Sequence, residues 1–249
     1  MNVQHYYNAA SKADGYGGLI FYLVVILSIS LLVFTGPKAE AWLHPSLIVL
    51  VALAIACTVV TAISQTEGNR ILRATQLSDA FGAGVGEKPR DDYYNNVLPR
   101  TARRLAATTL ENTLFTKEIL LKMLVKERIK IGIYVIVLLI LMICRQTPTG
   151  WLLVLAQTLF SADVILKWIR LERFSMRTNR VYAQLEQFFL QKGDTDNPND
   201  MALMLSAFTD YECAKDEAVI PLDQNIFERL NPVVSKQWQE MQQRLNIGG

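Results

Sequence analysis

An ionisable side chain inside an apolar run is costly, and one such run here, LLVLAQTLFSADVIL over residues 152–166, carries Asp163. Lys167 follows one helical turn later, so the two are expected to satisfy each other near a membrane interface. Arg170, Arg173 and Arg177 continue the series at helical spacing. A second cationic group lies earlier, at Arg100, Arg103, Arg104, Lys117 and Lys122, followed by Lys126, Arg128 and Lys130. Clustered cations of this kind bind phosphates. As a ring around an aqueous vestibule they concentrate anions and exclude cations. Arg100, Arg103, Arg104, Lys117 and Lys122 are the candidate patch for an oligonucleotide or cyclic nucleotide. Lys126, Arg128, Lys130, Asp163, Lys167, Arg170, Arg173 and Arg177 are the candidates for a vestibule or pore. A simpler role, a collar that fixes orientation and touches anionic head groups, fits the same residues.

Covalent and acid–base chemistry find little to work with. There is no zinc-ligand spacing, no nucleophile elbow and no pairing of His5 or His44 with a carboxylate. Gly82-Ala83-Gly84-Val85-Gly86-Glu87-Lys88 resembles a phosphate loop at a glance. It lacks the Walker spacing, Pro89 follows the lysine, and the preceding segment reads as helix, so it is expected to be a plain loop. The three cysteines, Cys57, Cys144 and Cys213, form no framework. We expect a protein that is not an enzyme and needs no cofactor.

The elements that would position these cations are set by where charge is missing. Only 19% of residues are charged and 51% are hydrophobic, against about 25% charged in a soluble domain. Four apolar runs result: Gly17–Gly36, Pro45–Ser64, Ile129–Cys144 and Gly150–Ile169. Each approaches the ~20 residues that cross ~30 Å of hydrocarbon. Gly36–Ala41 and Arg145–Gly150 are short enough to make each pair a helical hairpin, with Trp42 and Trp151 beside the turns at the lipid–water boundary. Those turns hold one basic residue each, Lys38 and Arg145. Residues 65–128 hold eleven, and residues 167–192 hold six basic against two acidic. The excess of Lys and Arg places both long segments, and both chain ends, in the cytoplasm. Ala39-Glu40-Ala41 imitates a signal-peptidase site, but only Lys12 precedes the first run as a basic residue, and we expect no cleavage.

The expected fold is therefore an all-α membrane protein: four transmembrane helices as two hairpins, with helices extended into a cytoplasmic stalk. Its divisions are an N-terminal cytoplasmic segment 1–16, a first hairpin 17–64, a cytoplasmic helical region 65–128, a second hairpin 129–169 and a C-terminal helical region 170–249. No breaker but Gly132 interrupts Arg100–Cys144, which predicts one helix of about 45 residues with an apolar stripe at Leu110, Leu114, Leu121, Leu124 and Val125. The helix after the fourth run is expected to bury Val181, Leu185, Phe188 and Phe189 before Gly193. Residues 193–249 carry ten acidic and four basic groups. They predict two helices, Asp200–Ala218 capped by Asn199 or Asp200 and Gln224–Asn246 broken near Pro232, which dock on the basic stalk.

Tyr6-Tyr7-Asn8-Ala9-Ala10-Ser11-Lys12-Ala13-Asp14, Asp92-Tyr93-Tyr94-Asn95-Asn96-Val97-Leu98-Pro99 and Tyr211-Glu212-Cys213-Ala214-Lys215 with Val219-Ile220-Pro221, set in this two-plus-two layout, resemble a known family. The chain resembles the four-transmembrane effectors associated with cGAS/DncV-like nucleotidyltransferases, a group that includes the membrane effector of the Hailong anti-phage systems. Where that family usually shows Cys-Gln-Arg before the asparagine, this chain has Ala107-Thr108-Thr109-Leu110-Glu111-Asn112. The resemblance implies an effector in a bacterial inner membrane, a homo-oligomer with a tetramer favoured. It implies a signal made by a partner nucleotidyltransferase, either a cyclic oligonucleotide or a single-stranded DNA oligomer. It also implies an anion-preferring pore whose opening depolarises an infected cell. A membrane-disrupting effector without a defined pore, or a non-conducting anchor or sensor, stays open beside it.

Overall fold

The computed structural model describes residues 3–33, 36–84, 98–143, 150, 162–191 and 197–247. These are helical nearly throughout, with no strand among them. The elements are α1 (Val3–Val33), α2 (Pro37–Phe81), α3 (Ala102–Ile143), a π-helical turn (Ala162–Leu166) that leads into α4 (Lys167–Leu190), α5 (Pro198–Ala218) and α6 (Gln224–Leu245).

Two helical segments, Val3–Leu31 and Ala41–Phe81, are long and apolar enough to cross a membrane, and their apolar windows contain almost no buried residue. Apolar side chains turned outward along a helix need a partner other than water. The third run lies in α3 up to Ile143, where Ile129, Ile133, Ile136, Ile140 and Ile143 are exposed as well. The fourth run is described only at Gly150 and from Ala162 onward, so a fourth span falls largely outside the described residues.

The long helices do not pause where the apolar runs stop. The divisions at 16/17, 64/65 and 128/129 fall inside α1, α2 and α3, and therefore mark changes of surroundings along continuous rods. α3 is 42 residues long, as the absence of breakers predicts. α2 starts at Pro37, directly after Gly36, rather than after a turn reaching Ala41. Proline suits this first helical position because its missing N–H would be unsatisfied there anyway.

α1 and α2 run antiparallel and close together. A Cβ on Gly17 would sit 3.5 Å from Cys57, and one on Gly68 would sit 3.1 Å from the Tyr7 ring. Tyr7 cannot retreat easily, because its hydroxyl is 3.0 Å from Asn69 Oδ1. Gly68→Ala should therefore push the helices apart and cost about 1 kcal/mol, at the low end for overpacking. Chemical denaturation in detergent checks this, and an unchanged midpoint would show that Tyr7 gives way.

Below the apolar lengths the helices share one core. Leu110, Leu114, Leu120 and Leu124 of α3 meet Leu171, Val181, Leu185, Phe188 and Phe189 of α4. The C-terminal helices complete it with Met204 and Tyr211 of α5 and Val234, Trp238 and Leu245 of α6. The tail is thus folded into the stalk. Leu121 and Val125 are corrections to the expected α3 stripe: they are 43% and 53% exposed.

The caps explain two further differences. Asn197, not Asn199 or Asp200, caps α5: its Oδ1 accepts from Asn199 N at 2.9 Å, with Pro198 at the first helical position. α6 does not break at Pro232. Ile226, Val234, Trp238 and Leu245 are buried on both sides of it. Pro232 and Glu228 lie on the exposed face, where solvent can satisfy the carbonyl left by the missing N–H. α5 ends at Val219 with φ 49°, a left-handed position that a β-branched residue occupies at some cost. Val219→Gly should therefore raise stability by about 1 kcal/mol, read from the same denaturation midpoints. A loss would show that the Val219 side chain contributes more packing than strain.

Candidate functional site: a charged seam under the apolar helices

Where the apolar lengths end, charges begin, and several of them are matched across helices. At the top of the seam Lys167 Nζ lies 2.9 and 2.8 Å from the two carboxylate oxygens of Asp14 on α1. Lys167 thus reaches across to α1, 153 residues away in sequence; the Asp163 side chain of the expected Asp163–Lys167 pair lies outside the described residues. At the same level Arg128 of α3 donates two bonds to Glu172 of α4, at 2.7 and 2.9 Å, and Trp168 Nε1 donates to the same carboxylate at 2.9 Å. The Arg128 bond is the main reason the Glu172 pKa falls below its ordinary value.

One turn lower, α2 meets α5. Asn69, itself a bond acceptor from Tyr7, donates to Asp216 Oδ1 at 2.9 Å. Arg73 donates to Glu212 at 3.3 Å and to Asp216. Glu212 is almost completely buried and also pairs with Lys215 at 2.6 Å. Burial works against the Arg73 charge, yet Asp216 and Glu212 hold its pKa above the ordinary value. Further down, Arg104 forks onto Asp79 at 2.9 and 2.8 Å and donates to the Leu98 carbonyl at 3.1 Å. A forked guanidinium–carboxylate pair fixes orientation as well as distance.

The candidate oligonucleotide patch is not one surface. Arg104 is engaged with Asp79, and Arg103 sits 5.1 Å from the Phe189 ring centroid. Lys117 lies 4.4 Å over Tyr182. Arg100 is exposed and packs against Gly82, whose φ of 68° is the left-handed end of α2. Lys122 is exposed on another part of α3. Residues close in sequence are thus spread around a helix and drawn to different neighbours. Among the vestibule candidates, Lys126 pairs with Asp223 at 3.3 Å and Lys130 with Glu127.

Arg170, Arg173 and Arg177 are brought together. They line a shallow cleft between α4 and the end of α5, floored by Phe174 and Ala214, with about 20 Å³ of free volume. Arg177 bonds Asp210 at 2.7 Å and Glu217 at 2.8 Å, and Arg173 meets Glu217 at 3.3 Å. Arg170 Nε is buried without a hydrogen-bond partner among the described residues. The hydroxyls on the second apolar run are turned inward on their own helix: Thr58 donates to Ala54 O and Thr61 to Cys57 O. Such back-bonding is packing chemistry rather than a water-lined path.

No family model matches the chain, and no characterised protein or solved structure shows significant similarity to it. The seam therefore has to be read from its own chemistry.

The residues missed from sequence are Asn69, Arg73, Asp79, Glu212 and Asp216. A signal for the first three was present. Gln65, Asn69, Arg73, Gln76 and Asp79 recur every three or four residues, and Gln65, Asn69, Gln76 and Asp79 are buried. A polar stripe with the period of a helix marks a face that meets other polar groups.

Proposed function

We propose that this chain is a multi-pass effector of a bacterial inner membrane, with four spans as two hairpins and both ends cytoplasmic. In this reading it assembles into a nucleotide- or oligonucleotide-gated, anion-preferring channel, probed below as a homo-oligomer with a tetramer favoured. The observation that carries the membrane part is the change of surface along α1, α2 and α3. Each exposes apolar side chains over one length and enters a packed, charge-matched bundle over the other. Asp14–Lys167 and Arg128–Glu172 stand at that change.

Self-association is supported by Leu121 and Val125. They lie on the stalk side of Ile129, below the reach of hydrocarbon, yet face solvent in the single chain. The signal would come from a partner nucleotidyltransferase, as the resemblance of Tyr6–Asp14, Asp92–Pro99 and Tyr211–Pro221 implies. The chemistry on this reading is ion conduction, with no catalysis and no cofactor. Anion preference would rest on cations still turned to solvent, chiefly Arg100, Lys122 and Arg180, because the tail neutralises many of the others.

Purified chain in planar bilayers under asymmetric chloride is expected to give unitary conductance steps with a reversal potential displaced toward the chloride equilibrium value. Cation selectivity would end the anion-pore reading. Erratic leakage without steps would favour membrane disruption, and an unchanged permeability a non-conducting anchor. Release of the intact chain by alkaline carbonate would remove the membrane reading altogether.

A further inference from the structure

We propose that the arginine cleft between α4 and α5 is a binding site for a single phosphoryl group, for which the Glu217 carboxylate acts as a displaceable occupant. Three guanidinium groups converge there, while only one carboxylate of the lining, Glu217, opposes them. Guanidinium is the side chain best matched to phosphate, through paired N–H donors. Two of the three arginines already hold an oxyanion in this position, because Glu217 spans Arg173 and Arg177. The third, Arg170, places a buried Nε that no described group satisfies. A buried donor left unmade costs free energy that an incoming acceptor oxygen recovers.

Glu217 is suited to leave. Its side chain is 53% exposed, so it can swing into water at little desolvation cost. Arg177 keeps Asp210 when it does, so the cleft stays shaped. The floor of Phe174 and Ala214 offers no competing acceptor side chain. With Glu217 in place the cleft has about 20 Å³ free, room for roughly one water, so a terminal phosphate takes the space that Glu217 vacates. The last-turn carbonyls of α5, worth roughly half a charge, and the Asp210 carboxylate on Arg177 oppose an anion, but three guanidinium groups outweigh them.

The position suggests two sources of that phosphate. Arg170 directly follows the end of the fourth apolar run at Ile169, and Arg177 lies about 10 Å further along α4. A lipid head group can reach the upper end, and a soluble phosphomonoester or inorganic phosphate the open side.

The test uses the full chain in a neutral detergent and follows its thermal unfolding midpoint, which rises in a saturable way when a ligand binds the folded state. One arm titrates inorganic phosphate at constant ionic strength set by sodium chloride. The other replaces phosphatidylcholine by phosphatidic acid in mixed micelles. A saturable rise in either arm supports the site. Phosphate alone identifies the soluble source, and phosphatidic acid alone the lipid one. Arg170→Gln with Arg173→Gln should weaken binding by about ten-fold, and Lys236→Gln, on the exposed surface of α6, should leave it unchanged. Glu217→Gln should tighten binding by about five-fold, and it tests the proposal even if the arginine variants fold poorly. No saturable rise in either arm, or a parental response from the arginine double variant, would overturn the site. An unchanged affinity in Glu217→Gln would overturn the displaced carboxylate. None of these readouts involves conductance, so the proposal stands or falls apart from the channel reading.

Discussion

Arg73→Met is expected to lower the stability of the folded chain by about 3 kcal/mol, in the range for removing one partner of a buried ion pair. The reason is what it leaves behind. Glu212 is only 2% exposed, and Arg73 is its cross-helix counter-charge; Lys215 is the other. Asp216 loses a guanidinium donor and retains Asn69. The arginine is itself about a third exposed, and solvent screening moderates the loss, which is why the lower end of the range is taken. Adding Glu212→Leu, Lys215→Met and Asp216→Leu should restore most of it, because an apolar replacement of the whole cluster leaves no buried charge stranded. Denaturant midpoints of the single and quadruple variants decide the matter. A single variant as stable as the parent would mean that Lys215 alone satisfies Glu212.

The second large effect is pH-dependent and belongs to Glu111 on α3. Burial raises its pKa from 4.5 to about 7, and its Oε2 is enclosed without a hydrogen-bond partner among the described residues. A carboxyl whose folded-state pKa exceeds its unfolded value favours folding at low pH and loses that contribution as pH rises. The loss begins near the unfolded value of 4.5 and is complete above the folded value of about 7. Its full size is about 3 kcal/mol, from the separation of the two pKa values. Glu111→Gln should therefore be more stable than the parent at pH 8 by up to that amount, and nearly equal to it at pH 4. Glu172 acts in the opposite sense. Held low by Arg128, it adds stability above its unfolded pKa that fades in acid. Denaturation at pH 4, 6 and 8 separates the two, and a pH-independent difference for Glu111→Gln would contradict the buried, proton-holding carboxyl.

How far these features could be read from the residues depends on how local their causes are. The continuity of α3 was legible because helix breaking is a property of single residues, and Gly132 alone does not suffice. The buried face of α4 at Val181, Leu185, Phe188 and Phe189 was legible because its period is written within nine residues. The Lys167 partner was not. Asp14 is 153 residues away, and only the packing of α1 beside the start of α4 brings it to Lys167. Leu121 and Val125 fit the α3 stripe by type but fall on the side that no described helix of the same chain covers. The basic patch failed for the same reason: Arg103 and Arg104 are adjacent in sequence, so a helix turns them about 100° apart, one toward Phe189 and the other toward Asp79. Of the candidate sites, the arginine series 170, 173 and 177 was placed together by sequence spacing alone, while its carboxylate counterpart on α5 required the fold.

α2 has a mechanical property that none of its bonds shows singly. It is one stiff rod of 45 residues, about 67 Å from end to end. Its lower third is gripped at Asn69 and Arg73 by α5, while among the described residues its upper reach toward Trp42 packs against α1. A rod so held behaves as a lever. Turning it by roughly 5° about Thr61 would carry the Trp42 end, about 30 Å away, through about 2.5 Å. Exchanging a single acceptor at the short arm could thus be felt as a displacement the width of a small ion at the long one.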